Sequence, residues 1–473
     1  MNRSFRLQHL LLAALALMLV ACATRPINGR IDHPNVSGSE FFSAPVAEKT
    51  MVVMAFSGGG TRAAAFSYGA LEALKETTIQ KKDGSTKRLL DYVDAISSVS
   101  GGSFTALAYR LYGDQLFEIY EQDFLKRDIQ GQLFSTGLNP TNWGNLMSYS
   151  WWRSEMAADL YDQVLFKGAT FADLAKTKGP LIIPSSTDLQ TGTRILFTKE
   201  DFDFMCADLD SFRVARAASA SSSVPILLAP LTLNNYAGTC GYTYPSWLSQ
   251  FKDTPSRPRA VSRALARQKE LERLDSKNSP YLHLADGALS DNLGLRSVID
   301  AMNALEAHRD AGGTNRLDGV ENIVIIVVNS LTEPTLNWNR QEQGPGFLAQ
   351  AVQSFGVSVD HNSEAQLTEI QDIANNWAQA DQIKATREFK RLMKNHPNMD
   401  AATAIDRTPA AKISLVYVAF SELPDPDERD YLNNLPTTFT LTSEQVDRLR
   451  SAAKQILSNS ESFNTVVQNL NKQ

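Results

Sequence analysis

The segment from Tyr92 to Tyr109 contains a short apolar run, then a cluster of small residues, then a run of helix-forming residues. That order predicts a strand, a tight turn and a helix, with Ser100 in the turn. Small residues stand two places before and two places after this serine, Ser98 and Gly102. A strained strand-to-helix turn that exposes a nucleophilic serine requires such small neighbours, because the backbone is crowded there. An ordinary Ser/Gly turn before a helix has the same residues, so this segment alone leaves both interpretations open.

A second β-type run, residues 51–56, leads into three consecutive glycines, Gly58 to Gly60, and then into a helix-forming run. Consecutive glycines let several backbone N–H groups point into one hollow, and the helix N-terminus adds partial positive charge. Such a hollow can hold a phosphate group or a tetrahedral oxyanion. The segment is not a P-loop, since no Gly-Lys-Ser/Thr follows the glycines.

A third segment, residues 281–294, is predicted to begin with a strand that ends at Asp286-Gly287. An aspartate at a strand end lies where the active sites of α/β sheets gather, although Asp-Gly alone is most often only a turn. The nearest histidine, His283, precedes Asp286 by three positions, so the two side chains point to opposite faces of the strand. We therefore expect His283 to be a packed strand residue rather than a partner of Ser100.

The three segments, in this order, resemble the patatin-like phospholipase family. Residues 58–62 are similar to its Gly-Gly-Gly-x-Arg-Gly loop, residues 98–102 to its Gly-x-Ser-x-Gly elbow, and residues 286–288 to its Asp-Gly-Gly/Ala motif. Two weaker similarities lie at residues 184–192 and 216–225, and the resemblance covers about residues 50–330. Ser98 and Ala63 stand where the family has glycine.

The resemblance implies an α/β fold of three layers, with a central, mostly parallel sheet and helices on both faces. We expect a catalytic domain over residues 49–332 and a C-terminal helical extension over residues 333–473, with one strand packed on the core. Apolar periodicity predicts two helices in the extension, one around 348–359 and a second around 367–377. Thr442-Ser443-Glu444-Gln445 is typical of a capping box that opens a last helix.

The resemblance also implies a lipid acyl hydrolase of the phospholipase A type, with Ser100 as nucleophile and Asp286 as proton acceptor. The substrate would be a phospholipid or another acyl-ester lipid. The residues expected to form the oxyanion hole are Gly58, Gly59, Gly60, Thr61, Arg62 and Gly101. Arg62 either steadies the loop or meets the phosphate of the substrate, and a salt bridge at the start of the helix is the alternative. No cofactor is implied, and no metal-ligand spacing such as Cys-x-x-Cys is present. A non-catalytic envelope lipoprotein that binds lipid or a partner is one alternative, and a lipid acyltransferase is another.

Residues 1–21 have the features of an export signal, because Arg3 and Arg6 precede an apolar run that is too short to span a membrane. Leu19-Val20-Ala21-Cys22 resembles a bacterial lipobox, which implies cleavage before Cys22 and lipidation of that cysteine. The protein would then be anchored in the cell envelope, at the outer membrane rather than the inner membrane. An ordinary export signal with a chance cysteine is the alternative. Residues 22–48 contain several Pro and Gly and are predicted to be a tether.

Composition adds three expectations. After export Cys206 and Cys240 either form a disulfide or remain two unrelated buried thiols. The chain has a formal net charge of −6 and no basic run, which argues against nucleic acid as a partner.

Residues 112–180 are rich in aromatic side chains, and their cluster from Trp143 to Trp152 is expected to form a lid or a lipid interface. Core packing is the alternative for any single aromatic residue.

Overall fold

The computed structural model describes residues 25–34, 48–139, 153–224, 228–254, 257–333, 338–340, 342, 344–396 and 399–472. The strands are β1 (Thr50–Phe56), β2 (Thr78–Gln80), β3 (Thr86–Arg88), β4 (Val93–Val99), β5 (Leu181–Asp188), β6 (Arg194–Leu196), β7 (Leu231–Asn234), β8 (Tyr281–Asp286), β9 (Asn322–Asn329) and β10 (Lys412–Ala419).

The α-helices before the C-terminal extension are α1 (Gly60–Glu76), α2 (Gly101–Tyr112), α3 (Leu116–Tyr120), α4 (Ile129–Leu138), α5 (Arg153–Tyr161), α6 (Phe171–Lys176), α7 (Lys199–Phe204), α8 (Val214–Ser221), α9 (Ser246–Ser249), α10 (Arg259–Leu271) and α11 (Leu295–Asp310). Those of the extension are α12 (Phe347–Ala385), α13 (Arg387–Asn395), α14 (Asp400–Arg407), α15 (Pro426–Asn433), α16 (Ser443–Asn459) and α17 (Glu461–Leu470).

A central sheet of eight strands runs in the order β10-β9-β1-β4-β5-β8-β7, and β6 pairs with β5 outside that path. The five strands from β10 to β5 are parallel to their neighbours. The strands β6, β7 and β8 are antiparallel to theirs. β2 and β3 form a separate antiparallel pair.

Both faces of the sheet are covered by apolar layers. On β1 the side chains of Val52, Met54 and Phe56 join a core that includes residues of α1, α2 and α16. The alternate residues of the same strand, Met51 and Val53, join a second core with residues of α11 and α12. A strand that is apolar at every position is typical of a parallel sheet with helices on both faces. The predicted three-layer α/β fold is therefore confirmed.

The C-terminal extension contains the predicted capping box, but the helix that it opens is not the last, because α17 follows. β10 pairs with β9 along its whole length, and α16 begins with the predicted capping box. Thr442 Oγ1 accepts from the N–H of Gln445 at 3.2 Å, and Gln445 Oε1 accepts from the N–H of Thr442 at 2.9 Å. The prediction of two helices within 348–377 is wrong, because α12 is one continuous helix of 39 residues. Residues 360–366, between the two apolar stretches, contain neither Gly nor Pro, so nothing in the chain stops the helix there.

Several aromatic residues between 112 and 180 pack in the protein interior, whereas Phe134 is exposed. The ring of Phe104 lies 4.8 Å from that of Phe124 and 4.7 Å from that of Tyr161, and all three side chains are buried. For these rings the core-packing alternative holds. The cluster from Trp143 to Trp152 lies outside the described residues.

The described part of the predicted tether, residues 25–34, contacts the folded body. Asn28 forms two hydrogen bonds with Asn234 at the end of β7, at 3.0 Å and 2.8 Å. The N–H of Ile31 donates to the carbonyl of Cys206 at 3.0 Å. Cys206 forms a disulfide with Cys240, so the segment lies against a covalently closed loop. Within the described residues no helix combines the length and apolarity needed to cross a bilayer.

Candidate active site

Ser100 occupies a strained turn between β4 and α2. Its φ of 49° and ψ of −120° lie in a region that residues other than glycine rarely adopt, and such strain persists mainly at functional sites. The turn is crowded on both sides. A Cβ on Gly101 would lie 2.0 Å from the carbonyl oxygen of Gly60, and one on Gly102 would lie 2.7 Å from Cβ of Phe56. The small residues noted in the sequence are therefore required by the packing of this turn.

Ser98 is accommodated in place of glycine because it lies within the regular strand β4. It pairs with Phe56 on β1 and with Pro184 on β5. Its buried hydroxyl accepts from Ser103 Oγ at 3.2 Å, and Ser103 Oγ lies 3.0 Å from Ser221 Oγ. Ser221 in turn accepts from the N–H of Ser100 at 2.8 Å. The hydroxyl of Ser98 thus belongs to a hydrogen-bonded chain that reaches the backbone of the turn.

The sheet register brings Asp286 to Ser100. Val99 on β4 pairs with Ser185 on β5, and the next residue, Ser186, pairs with Asp286 on β8. Ser100 and Asp286 therefore stand at the same level on either side of β5. The hydroxyl of Ser100 donates to Oδ2 of Asp286 at 2.8 Å, across 186 positions of sequence.

Asp286 is held in place by its neighbours and is almost completely buried. Its Oδ1 accepts from the N–H of Ala288 at 2.9 Å, and its own N–H donates to the carbonyl of Ser223 at 2.9 Å. Burial raises the pKa of Asp286 to about 6, because a charged carboxylate is poorly solvated inside the protein. The hydrogen bonds from Ala288 and Ser100 act in the opposite direction and limit the rise.

The ring of His283 lies away from this pair. The residue is exposed rather than packed, and its Nδ1 is 3.1 Å from Oγ1 of Thr232 on β7. Among the described residues, no histidine forms a hydrogen bond with Ser100 or Asp286, and no group of three or more His, Cys, Asp or Glu is arranged to hold a metal ion.

The glycine loop adopts backbone angles that favour glycine. Gly59 has a φ of 141° and Gly60 a φ of 62°. Two N–H groups of the loop are engaged in structural hydrogen bonds, that of Gly58 with the carbonyl of Asn292 at 2.9 Å and that of Thr61 with the carbonyl of Thr438 at 2.8 Å. Within the described parts of the chain, no acceptor is found for the N–H groups of Gly59, Gly60 and Gly101. These three N–H groups therefore remain candidates for the expected oxyanion donors.

A family model of patatin-like phospholipases matches residues 54–299, a span that contains the glycine loop, the turn at Ser100 and Asp286. The chain belongs to the patatin-like phospholipase family.

Structural comparison of this patatin-like protein gives matches at low sequence identity. Human GIVD cytosolic phospholipase A2 is 12% identical, with a TM-score of 0.40 over 89% of this chain and 62% of that one. Its complex with methyl gamma-linolenyl fluorophosphonate is 13% identical, with a TM-score of 0.39 over 90% of this chain and 59% of that one. VipD from Legionella pneumophila is 11% identical, with a TM-score of 0.30 over 96% of this chain and 73% of that one. The chain thus spans about three fifths of the human structures. No curated protein matches it in sequence.

Arg62 of the patatin-like loop is buried and bonded to the protein itself. Its Nε donates to the carbonyl of Ser330 at 2.9 Å, and its Nη1 donates to the carbonyl of Leu435 at 2.7 Å. Burial lowers the pKa of Arg62 to about 10. Among the roles considered for this side chain, these two hydrogen bonds agree with the one that steadies the loop.

No sequence pattern indicates that residues beyond 330 reach the site. Leu435 and Thr438 lie outside the matched span and hold the loop through their backbone carbonyls. Thr438 also fits closely, since a Cβ on Gly60 would lie 2.4 Å from its oxygen. Any residue type can supply a carbonyl, so no residue pattern could have pointed to these two positions.

Proposed function

We propose that this protein cleaves ester-linked acyl chains of phospholipids, using Ser100 and Asp286 as a catalytic dyad. The observation that carries the proposal is the 2.8 Å hydrogen bond from the hydroxyl of Ser100 to the buried carboxylate of Asp286. A serine hydroxyl is a weak nucleophile until a base takes its proton, and an aspartate with a pKa near 6 is mostly ionised at neutral pH. Asp286 therefore meets both requirements for the base, position and protonation state.

The reaction has two steps. Ser100 Oγ attacks the ester carbonyl while its proton passes to Asp286, and that proton then goes to the departing alcohol oxygen. Water attacks the resulting acyl-enzyme, gives its proton to Asp286, and releases the fatty acid as Ser100 Oγ recovers a proton. The N–H groups of Gly59, Gly60 and Gly101 stabilise the oxyanion in both steps. Removing one such donor typically slows catalysis by about 10²–10³-fold.

Covalent labelling with a fluorophosphonate tests the dyad, together with release of fatty acid from mixed phospholipid vesicles. We expect the wild type to be labelled at Ser100 and to release fatty acid, and Ser100→Ala to do neither. Ser103→Ala is the matched control, because Ser103 is a buried serine in the first turn of α2 whose hydroxyl contacts Ser98 and Ser221 rather than Asp286. An unlabelled wild type, or hydrolysis that persists in Ser100→Ala, would contradict the proposal.

The same assay separates the alternatives. An acyltransferase would pass the acyl group to added lysophospholipid or alcohol, and the product would appear as a new ester rather than as free fatty acid. A non-catalytic lipid-binding protein would retain lipid without turnover. The hydrogen bond between Ser100 and Asp286 favours a catalytic protein, since binding alone does not require a strained serine beside a buried carboxylate.

We also propose that Cys22 is lipidated and that the protein is held at the bacterial outer membrane. Cys22 lies outside the described residues, but Arg25 follows it by three positions and donates from Nη1 to the carbonyl of Thr232 at 3.2 Å. Three residues span at most about 11 Å, so an anchor on Cys22 would keep the β7 edge close to the bilayer. Ile27 and Tyr281, both exposed apolar residues, lie at this edge.

Labelling with radioactive palmitate, followed by separation of inner and outer membranes on a density gradient, tests the anchor. We expect label and protein in the outer-membrane fraction for the wild type, and loss of both for Cys22→Ser. A Cys22→Ser variant that is still labelled, or wild type recovered in the inner membrane, would contradict the proposed lipidation or location respectively.

A further inference from the structure

Asn292 lies in the loop between β8 and α11, directly beside the glycine loop. Its backbone carbonyl accepts from the N–H of Gly58 at 2.9 Å, which ties the two loops together. Its side chain is only 4% exposed. The proposed mechanism uses neither the side chain nor the backbone of this residue.

The side-chain amide of Asn292 borders the nucleophile. A Cβ placed on Gly58 would lie 2.9 Å from Asn292 Oδ1 and 3.4 Å from Cβ of Ser100. Asn292 and Ser100 thus approach the same small space from two sides. These distances place Oδ1 of the Asn292 amide at Gly58, the first residue of the glycine loop, near Ser100.

The Nδ2 group of Asn292 is buried and has no hydrogen-bond partner among the described residues. Leaving a buried donor unpaired lowers the stability of the fold, whereas an apolar side chain of the same shape carries no such penalty. A group of this type in a native protein calls for an explanation, and a role in binding or catalysis is one. Next to a nucleophile, the natural acceptor is an oxygen of the substrate.

We propose that Nδ2 of Asn292 donates a hydrogen bond to the carbonyl oxygen of the scissile ester as Ser100 attacks it, in addition to the N–H groups of Gly59, Gly60 and Gly101. This rests on the proposed hydrolase function. The backbone that carries this side chain is held before substrate arrives by its hydrogen bond to Gly58. The bond strengthens as negative charge develops on the carbonyl oxygen, so it lowers the barrier more than it favours binding of the ester.

The test replaces Asn292 by Leu and by Asp and measures kcat, KM and the urea midpoint of unfolding. Both variants keep the backbone bond to Gly58 and remove the donor. We expect kcat to fall by about 10²-fold with little change in KM, as for other oxyanion donors. Asn292→Leu should be at least as resistant to urea as the wild type, because it removes an unpaired buried amide. A residue with only a structural role would lose activity and stability together.

Asn303→Leu is the matched control. Asn303 is also a buried asparagine with an unpaired Nδ2, but it lies within α11 and its Oδ1 accepts from Arg259 at 2.7 Å. Its replacement should lower stability and leave kcat unchanged. The inference is overturned if Asn292→Leu keeps the wild-type kcat. It is also overturned if the fall in kcat is no larger than the loss of stability accounts for. If the wild type itself releases no fatty acid, the proposed function fails first and this role falls with it.

Discussion

Replacing Asp286 by Asn should abolish activity and at the same time make the protein more stable at neutral pH. Asn has the shape of the carboxyl group and can still accept from the N–H of Ala288, but it cannot take a proton from Ser100. General-base catalysis is typically worth about 10²–10⁴-fold in rate, so we expect a loss of that size. The gain in stability follows from the pKa of the wild-type carboxyl group.

The size of that gain is set by the rise in the pKa of Asp286 from 3.8 to about 6. A carboxyl group that binds its proton more tightly in the folded state stabilises the fold below the unfolded pKa, and this contribution is lost as the pH rises through the folded pKa. At 1.36 kcal/mol per unit, the buried carboxylate costs about 3 kcal/mol of stability at pH 7 and above. Asp286→Asn should therefore be up to about 3 kcal/mol more stable at pH 8, and the difference should vanish below pH 4.

Urea unfolding of both proteins between pH 4 and pH 8 measures this difference. In parallel, kcat/KM of the wild type should fall about tenfold per pH unit below about pH 6, because the base must be ionised. Asp310→Asn is the control, since burial also raises the pKa of Asp310, to about 7, yet this residue ends α11 and has no contact with Ser100. A pH profile without an acid limb near 6, or an Asp286→Asn protein less stable than wild type at pH 8, would refute the reasoning.

Three further substitutions probe the elbow, a buried ion pair and the disulfide. Gly101→Ala would place a Cβ 2.0 Å from the carbonyl of Gly60, so kcat should fall by at least about 100-fold, whereas Gly137→Ala, with one neighbour at 3.9 Å, should keep full activity in the vesicle assay. Arg216→Ala leaves Glu155, which is 3% exposed, buried without its bidentate partner, and should lower the free energy of unfolding by about 3–5 kcal/mol. Replacing both Cys206 and Cys240 by Ser opens a loop of 34 positions and should cost about 4 kcal/mol, measured by urea unfolding under oxidising conditions; an unchanged midpoint would contradict it.

Local segments of this protein could be predicted because their residues specify local geometry. The glycines before α1, the small residues around Ser100 and the Asp-Gly after β8 each require one kind of turn, and the apolar run of β1 requires burial on both faces. The capping box of α16 is equally local, since Thr442 and Gln445 bond to each other. The prediction of two helices failed between the two apolar halves of α12. No residue in that stretch indicates whether a helix continues or ends there.

The sequence by itself determined which side chains were available for chemistry: a serine in a strained turn, a carboxylate at a strand end and a run of N–H donors. Only the tertiary structure decided how they meet. The register of β4 and β8 on β5 sets Ser100 against Asp286, and two carbonyls from the C-terminal extension fix the glycine loop through Thr61 and Arg62. Contacts of this kind join residues far apart in the chain through backbone groups and strand order, and these are properties that every residue type shares and that no local pattern encodes.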